Sequence, residues 1–179
     1  SPTPHTPTPT PFNPLAYFPY KPLLHDWVVQ LLPTADLSIH GIEITQGIQC
    51  FDTSKGLASC PNNSLPVVAK KNTTARIYLK YSGSGTGKAG VPVRLHIFAN
   101  GVEYLADAWG KATPGINQGN ADSANVWFNV DFSNDIGVSF YAEVDPNHTI
   151  AETNEANNRF PASGTTSLTF KKRGTLDIV

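Results

Sequence analysis

The densest collection of chemistry-bearing side chains is the segment Asp145-Pro146-Asn147-His148-Thr149-Ile150-Ala151-Glu152-Thr153-Asn154-Glu155-Ala156-Asn157-Asn158, which concentrates hard oxygen donors. Calcium prefers about six to eight oxygens, and Asp145, Asn147, Thr149, Glu152, Asn154 and Glu155 can supply that set. The spacing is not that of an EF-hand. Ile150 stands sixth, where Gly makes the turn, and Ala156 stands twelfth, where a bidentate Glu belongs. The competing reading is purely structural: Asp and Asn side chains accept from nearby backbone amides as Asx-turns and hold a long inter-strand loop, while Ile150 points into the core. The two readings differ in what the carboxylates touch.

Other chemistry lacks its parts. The histidines His5, His25, His40, His96 and His148 are scattered, with no i, i+4 pair to place two imidazoles on one helix face for zinc. The run Gly83 to Gly87 before Lys88 departs from a phosphate loop, because Ser82 replaces its first glycine and Ala89 replaces the hydroxyl that holds magnesium. It reads as a flexible loop. No Ser sits in a Gly-x-Ser-x-Gly elbow. Cys50 and Cys60 are close in sequence across a polar, Gly-containing stretch, which suits a local disulfide worth roughly 2 to 3 kcal/mol. Two free thiols in a reducing compartment are the alternative. No nucleophile, acid and base can be assembled into a catalytic set, so the chain is not expected to be an enzyme.

Net charge argues about partners. Thirteen Lys and Arg against 14 Asp and Glu give a formal charge of -1, so there is no electrostatic footprint for nucleic acid or an anionic membrane. No apolar run approaches the ~20 residues of a membrane span. Charged residues are only 15%, with Thr, Ser, Asn and Gly in their place, a balance expected of a β-rich extracellular or cell-surface module. A start at Ser1 without a leader is expected of a processed chain or a piece of a longer one. Asn62, Asn72 and Asn147 open Asn-x-Ser/Thr sequons, which would mark exposed loops in a eukaryotic secreted protein and carry little weight in a bacterial one.

The elements that must position these residues are mostly strands. Eight of the 15 prolines fall within residues 1–22, where Thr-Pro alternation makes an extended linker. Residues 23–35 carry Leu23, Leu24, Trp27, Val28, Leu31 and Leu32 at helical spacing, which predicts a short amphipathic helix and connector. From residue 36 to 179 the period is two. Leu37 and Ile39 are followed by Ile42 and Ile44, so a β-bulge at His40-Gly41 is needed to keep the inward phase. Ala75 to Tyr81, Val91 to Ala99, Val126 to Phe132, Val138 to Val144, and Leu168 with Phe170 alternate likewise. Asn100-Gly101 predicts a type I′ hairpin turn into a return strand at Val102 and Tyr104. The expectation is all-β: an immunoglobulin-like antiparallel β-sandwich of about seven strands, with a Pro/Thr-rich N-terminal arm.

Strict alternation puts Tyr78, Phe98, Trp127 and Tyr141 on the outward phase of four strands. Such aromatics stack on carbohydrate rings or dock a partner protein, unless the segment Leu23 to Leu32 folds back over them.

Asp145-Pro146-Asn147, Ile150, Glu152, Asn154-Glu155 and Asn157-Asn158, following the strand Val138 to Val144, resemble the pattern of the CARDB family, the cell-adhesion-related domain found in bacteria. The resemblance is carried by residues 126–170, with Asp36-Leu37 and the strand Arg76 to Tyr81 compatible upstream. It implies an immunoglobulin-like sandwich in secreted or surface-anchored proteins, often repeated or joined to catalytic domains, without activity of its own. The insertion holding Cys50 and Cys60 and a long loop from Gly110 to Asn125 depart from the pattern. Ile42-Glu43-Ile44-Thr45-Gln46-Gly47-Ile48-Gln49, with Pro66-Val67-Val68-Ala69 and Arg76, is also similar to segments preceding extracellular metallopeptidase-like regions. These resemblances imply a non-catalytic module for adhesion, spacing or support of a neighbouring catalytic domain. The alternative is a ligand-binding module, with carbohydrate on the aromatic face or calcium in the 145–158 loop.

Overall fold

Side chains that alternate large apolar and polar along an extended backbone bury one face of a sheet, and two such sheets packed together close a core. The computed structural model, which describes residues 35–47, 67–115, 123–172 and 174, has this form. Its strands are β1 (Asp36–Thr45), β2 (Asn72–Ser82), β3 (Lys88–Ala99), β4 (Val102–Ala112), β5 (Ser123–Asn129), β6 (Ile136–Val144), β7 (Arg159–Phe160) and β8 (Thr166–Phe170). One sheet has the order β1-β2-β5; the other runs β4-β3-β6-β7, with β8 also paired to β6. All these pairings are antiparallel. The fold is the expected all-β antiparallel sandwich, with eight strands rather than about seven.

The inward phases meet as predicted. Leu37, Ile44, Ile77, Leu79, Leu95, Val138 and Phe140 are fully buried, each side chain contributing about 2 kcal/mol on removal from water. The register of β1 against β2 shifts between Ile39 and Gly41, which is the bulge required to keep Ile42 and Ile44 inside. Asn100 and Gly101 both have positive φ (52° and 76°), and Ala99 pairs with Val102, so β3 and β4 are joined by the type I′ turn.

Three boundaries differ from expectation. β4 continues to Ala112, past Gly110 where the sequence suggested the start of a loop, because small inward residues (Ala106, Ala108, Gly110, Ala112) alternate with Asp107, Trp109 and Lys111. β5 begins at Ser123 and ends at Asn129, while Val130 stays buried beyond its end. β7 is two residues long and has no periodic signal to announce it. The arm at residues 1–22, the helix predicted within residues 23–35 and the Cys50–Cys60 bridge fall outside the described residues, apart from Ala35.

At its end β4 leaves its own sheet. Beyond Ala112, Thr113 pairs with Lys80 of β2, with Tyr81 N donating to Thr113 O (2.9 Å) and Thr113 N to Leu79 O (3.3 Å). The crossing is possible because Gly110 has no side chain: a Cβ there would lie 2.7 Å from the backbone nitrogen of Ala124 and 2.9 Å from the carbonyl carbon of Ser123. β4 and β5 therefore approach backbone to backbone at Gly110. Gly110→Val is expected to cost about 3 kcal/mol, a fall in Tm of roughly 6 to 12 °C by thermal denaturation. Gly137→Val, at an open position in β6 with nothing within 4 Å, serves as the control and should change stability by less than about 1 kcal/mol.

Candidate functional site

The loop between β6 and β7 is built around two buried carboxylates. Asp145 is fully buried at positive φ (44°). Its Oδ1 accepts from Thr149 N (3.1 Å) and Thr149 Oγ1 (2.8 Å), and its Oδ2 accepts from Ile150 N (2.7 Å). Its own amide donates to Pro92 O (2.8 Å), which ties the loop to β3. Glu152 lies under the start of β1: Oε2 accepts from Leu37 N (2.6 Å) and Oε1 from Asn158 Nδ2 (3.0 Å). Ile150 packs against the core. Outside these two, Asn154 Oδ1 caps the 3₁₀ turn Glu155–Asn157 by accepting from Ala156 N (3.1 Å). Glu155 Oε2 faces His148 Nδ1 (2.8 Å) and accepts from Asn158 Nδ2 (3.2 Å). Asn147 is exposed.

The six oxygen donors singled out for calcium thus lie in one loop, but their carboxylates point to different tasks. Asp145 shapes the turn, Glu152 holds β1, and Glu155 pairs with His148. Among the described residues, no three His, Cys, Asp or Glu side chains converge as metal ligands. The contacts are those of the Asx-turn reading. Asn157 Nδ2 donating to Asp36 Oδ2 (2.8 Å) and Thr153 N donating to Ala35 O (2.9 Å) extend the clamp along the β1 terminus.

The outward aromatics separate into two groups. Phe98 and Tyr141 lie together on the outer face of the larger sheet, ring centroids 5.9 Å apart. Tyr141 is sandwiched between His96, stacked at 4.0 Å, and the Arg159 guanidinium, 4.0 Å above the ring. His96 in turn has Nδ1 2.7 Å from Glu103 Oε1 and Nε2 3.2 Å from Glu143 Oε2, and Arg94 grips Asp107 with two bonds of 2.8 and 2.9 Å. This face is a lattice of mutually paired charges and rings.

Tyr78 and Trp127 belong to the smaller sheet and do not meet. Tyr78 corrects the expectation of an exposed aromatic: it is 1% exposed and donates its hydroxyl to the buried Glu43 Oε2 (2.6 Å), with the Arg76 guanidinium 5.3 Å from the ring centroid. Burial and the Glu43 carboxylate both push the Tyr78 hydroxyl pKa upward. Trp127 remains open at 78% exposure. Beside it, the structure adds a residue that the sequence left unassigned, Trp109, at 68% exposure. The signal that could have found it is its odd-numbered place in β4, on the outward phase with Asp107.

No family model matches the chain, and no curated protein matches it. The chain is similar to the CARDB domain of PF1109 from Pyrococcus furiosus, both in its solution NMR structure (19% identity over 79% of this chain and 97% of that one, TM-score 0.41) and in a crystal structure. That crystal structure, described as a complex with di-metal ions, matches at 19% identity over 79% of this chain and 96% of the other, with a TM-score of 0.42.

Glu152 supplies a pH test of the clamp. Burial raises its pKa above the ordinary 4.5, opposed by the bonds from Leu37 and Asn158. A carboxyl whose folded pKa exceeds its unfolded one contributes stability that is present below the unfolded value and lost as pH rises through the folded value. Glu152→Gln keeps the neutral form at every pH. The difference in Tm, variant minus parent, is therefore expected to rise from about pH 4 upward and then level off. A difference that falls over that window would show that the fold prefers the carboxylate.

Proposed function

We propose that the chain is a non-catalytic β-sandwich module of an extracellular or cell-surface protein, serving adhesion, spacing or support of a neighbouring catalytic domain. The observation that carries this reading is the use made of the buried carboxylates. Asp145 and Glu152, the ionisable groups best placed for acid–base or metal chemistry, accept from backbone amides and from Thr149 and Asn158, and so hold strands together. Their bonds are to groups of the fold itself. The low charge, the Thr-Pro arm and the closely spaced Cys50 and Cys60 support the exported setting. The carbohydrate reading is favoured by a separate observation, the exposure of Trp127.

Three measurements test the module. The purified chain should release no product from peptide, ester and glycoside substrates; turnover abolished by a substitution within residues 36–172 would overturn the reading. Surface labelling of intact cells of the native host should tag the protein, and mass spectrometry without reductant should find Cys50 joined to Cys60; recovery only from the cytoplasm with both thiols free would contradict the exported setting. Tm should be the same in millimolar calcium and in chelator, because the loop carboxylates already have donors. A rise with calcium would instead favour a metal bound by Asp145, Asn147, Thr149, Glu152, Asn154 and Glu155.

A further inference from the structure

At the seam between β4 and β5, outer residues of both sheets line a common groove. It has a volume of about 550 Å³, with Trp109 and Asp107 on the β4 side, Trp127, Asn125 and Ser123 on the β5 side, and the small side chain of Ala106 among its lining. The indoles are 68% and 78% exposed, large apolar rings that folding has left in water. Scattered apolar residues on a surface need no explanation, but two tryptophans across one groove do. Their separation is set by the backbone crossing at Gly110 and Ala124, so the walls stand on rigid strands rather than on a loop.

We propose that this groove binds a neutral polysaccharide chain, with Trp109 and Trp127 stacking against its sugar rings and the half-exposed Asp107 carboxylate, each oxygen keeping a lone pair beyond its bond from Arg94, accepting from its hydroxyls. A pyranose presents an apolar face of C–H groups and an equatorial rim of hydroxyls, and it asks of a site the combination found here: flat aromatic walls and a few polar groups at their feet. Charge supports a neutral ligand. Asp107 is the ionisable residue among the described lining, and Arg94 already neutralises it with two hydrogen bonds. A polyanion would meet that carboxylate without an uncompensated cation, in a chain whose formal charge is -1.

A groove of about 550 Å³ has room for more than one sugar ring, which suits a chain better than a single sugar. An added peptide strand is the competing occupant of such an edge. It fits less well, because β5 crosses the edge of β4 at Gly110 and blocks a ladder from running through that point.

This deepens the reading of the chain as an adhesive module and rests on it. The test titrates the full 179-residue chain with cellohexaose, xylohexaose, mannohexaose and chitohexaose, with a heparin hexasaccharide and an extended Thr/Val peptide as competitors, by calorimetry and tryptophan fluorescence. Saturable binding to at least one neutral hexasaccharide is expected. Trp109→Ala and Trp127→Ala should each weaken it about tenfold while Tm stays within about 2 °C, because both side chains are exposed. No saturable binding to the neutral sugars, binding indifferent to both substitutions, or preference for heparin or the peptide would each overturn the groove assignment and leave the module reading intact. Release of new reducing ends from a bound hexasaccharide would overturn the non-catalytic reading, and this proposal with it.

Discussion

The structure depends most on the burial of Glu152 beneath the first strand. A carboxylate removed from water is costly unless its oxygens are supplied with donors, and here the donors are the Leu37 amide and the Asn158 side chain. That requirement couples parts of the chain 115 residues apart. β1 belongs to the smaller sheet and Asn158 leads into β7 of the larger one, so a single buried group ties the two layers at one end. Asp145 extends the constraint to β3 through Pro92 O. Hydrophobic burial drives the two sheets together, but it is non-directional, and these carboxylates help to set how their ends meet.

At the opposite side of the sandwich the constraint is steric. β4 can pass across β5 and reach β2 only where no Cβ intervenes, and Gly110 supplies that gap. The two edges thus use different physics: satisfied charge where the β6–β7 loop closes over β1, and missing volume where β4 changes sheets. The outer faces follow from this frame. The larger sheet pairs its polar groups internally, Arg94 with Asp107 and the His96 ring nitrogens with Glu103 and Glu143, while the smaller one hides Tyr78 and Glu43. What stays open is the edge at which the crossing occurs.

Much of this was legible from residue type and spacing. Period-two alternation identified the inward residues of β1, β2, β3 and β6, the skipped phase at His40-Gly41 located the bulge, and Asn100-Gly101 located the hairpin. Each signal is local, which is why it could be read. The misreadings were of non-local origin. Alternation places Tyr78 outward correctly, yet outward from a sheet is not the same as exposed, and a hydrogen bond to Glu43 in a neighbouring strand cannot be inferred from either residue alone. The stretch Gly110 to Ala112 was read as the start of a loop because Gly110 leaves room for the backbone of β5, and without that contact a glycine between small residues mimics a loop. In the 145–158 segment the local part of the reading was legible, the bonds of Asp145 to nearby amides and Ile150 against the core, whereas the reach of Glu152 to Leu37 was not, because that contact spans 115 residues.

The same distinction bears on function. A polar cluster rich in acids attracts a catalytic or metal-binding interpretation, whereas geometry shows that Asp145 and Glu152 accept bonds from within the fold. Aromatic residues divide by the same criterion: Tyr141 and Phe98 have partners in the face they occupy, Tyr78 has Glu43, and the indoles of Trp109 and Trp127 extend mostly into solvent. Surface that folding has not used is surface available for recognition. Among the described residues, Trp109 and Trp127 at the β4–β5 seam are the most exposed of the large apolar side chains, so contact with another molecule there can remove apolar area from water without first displacing a ring from a partner in the fold.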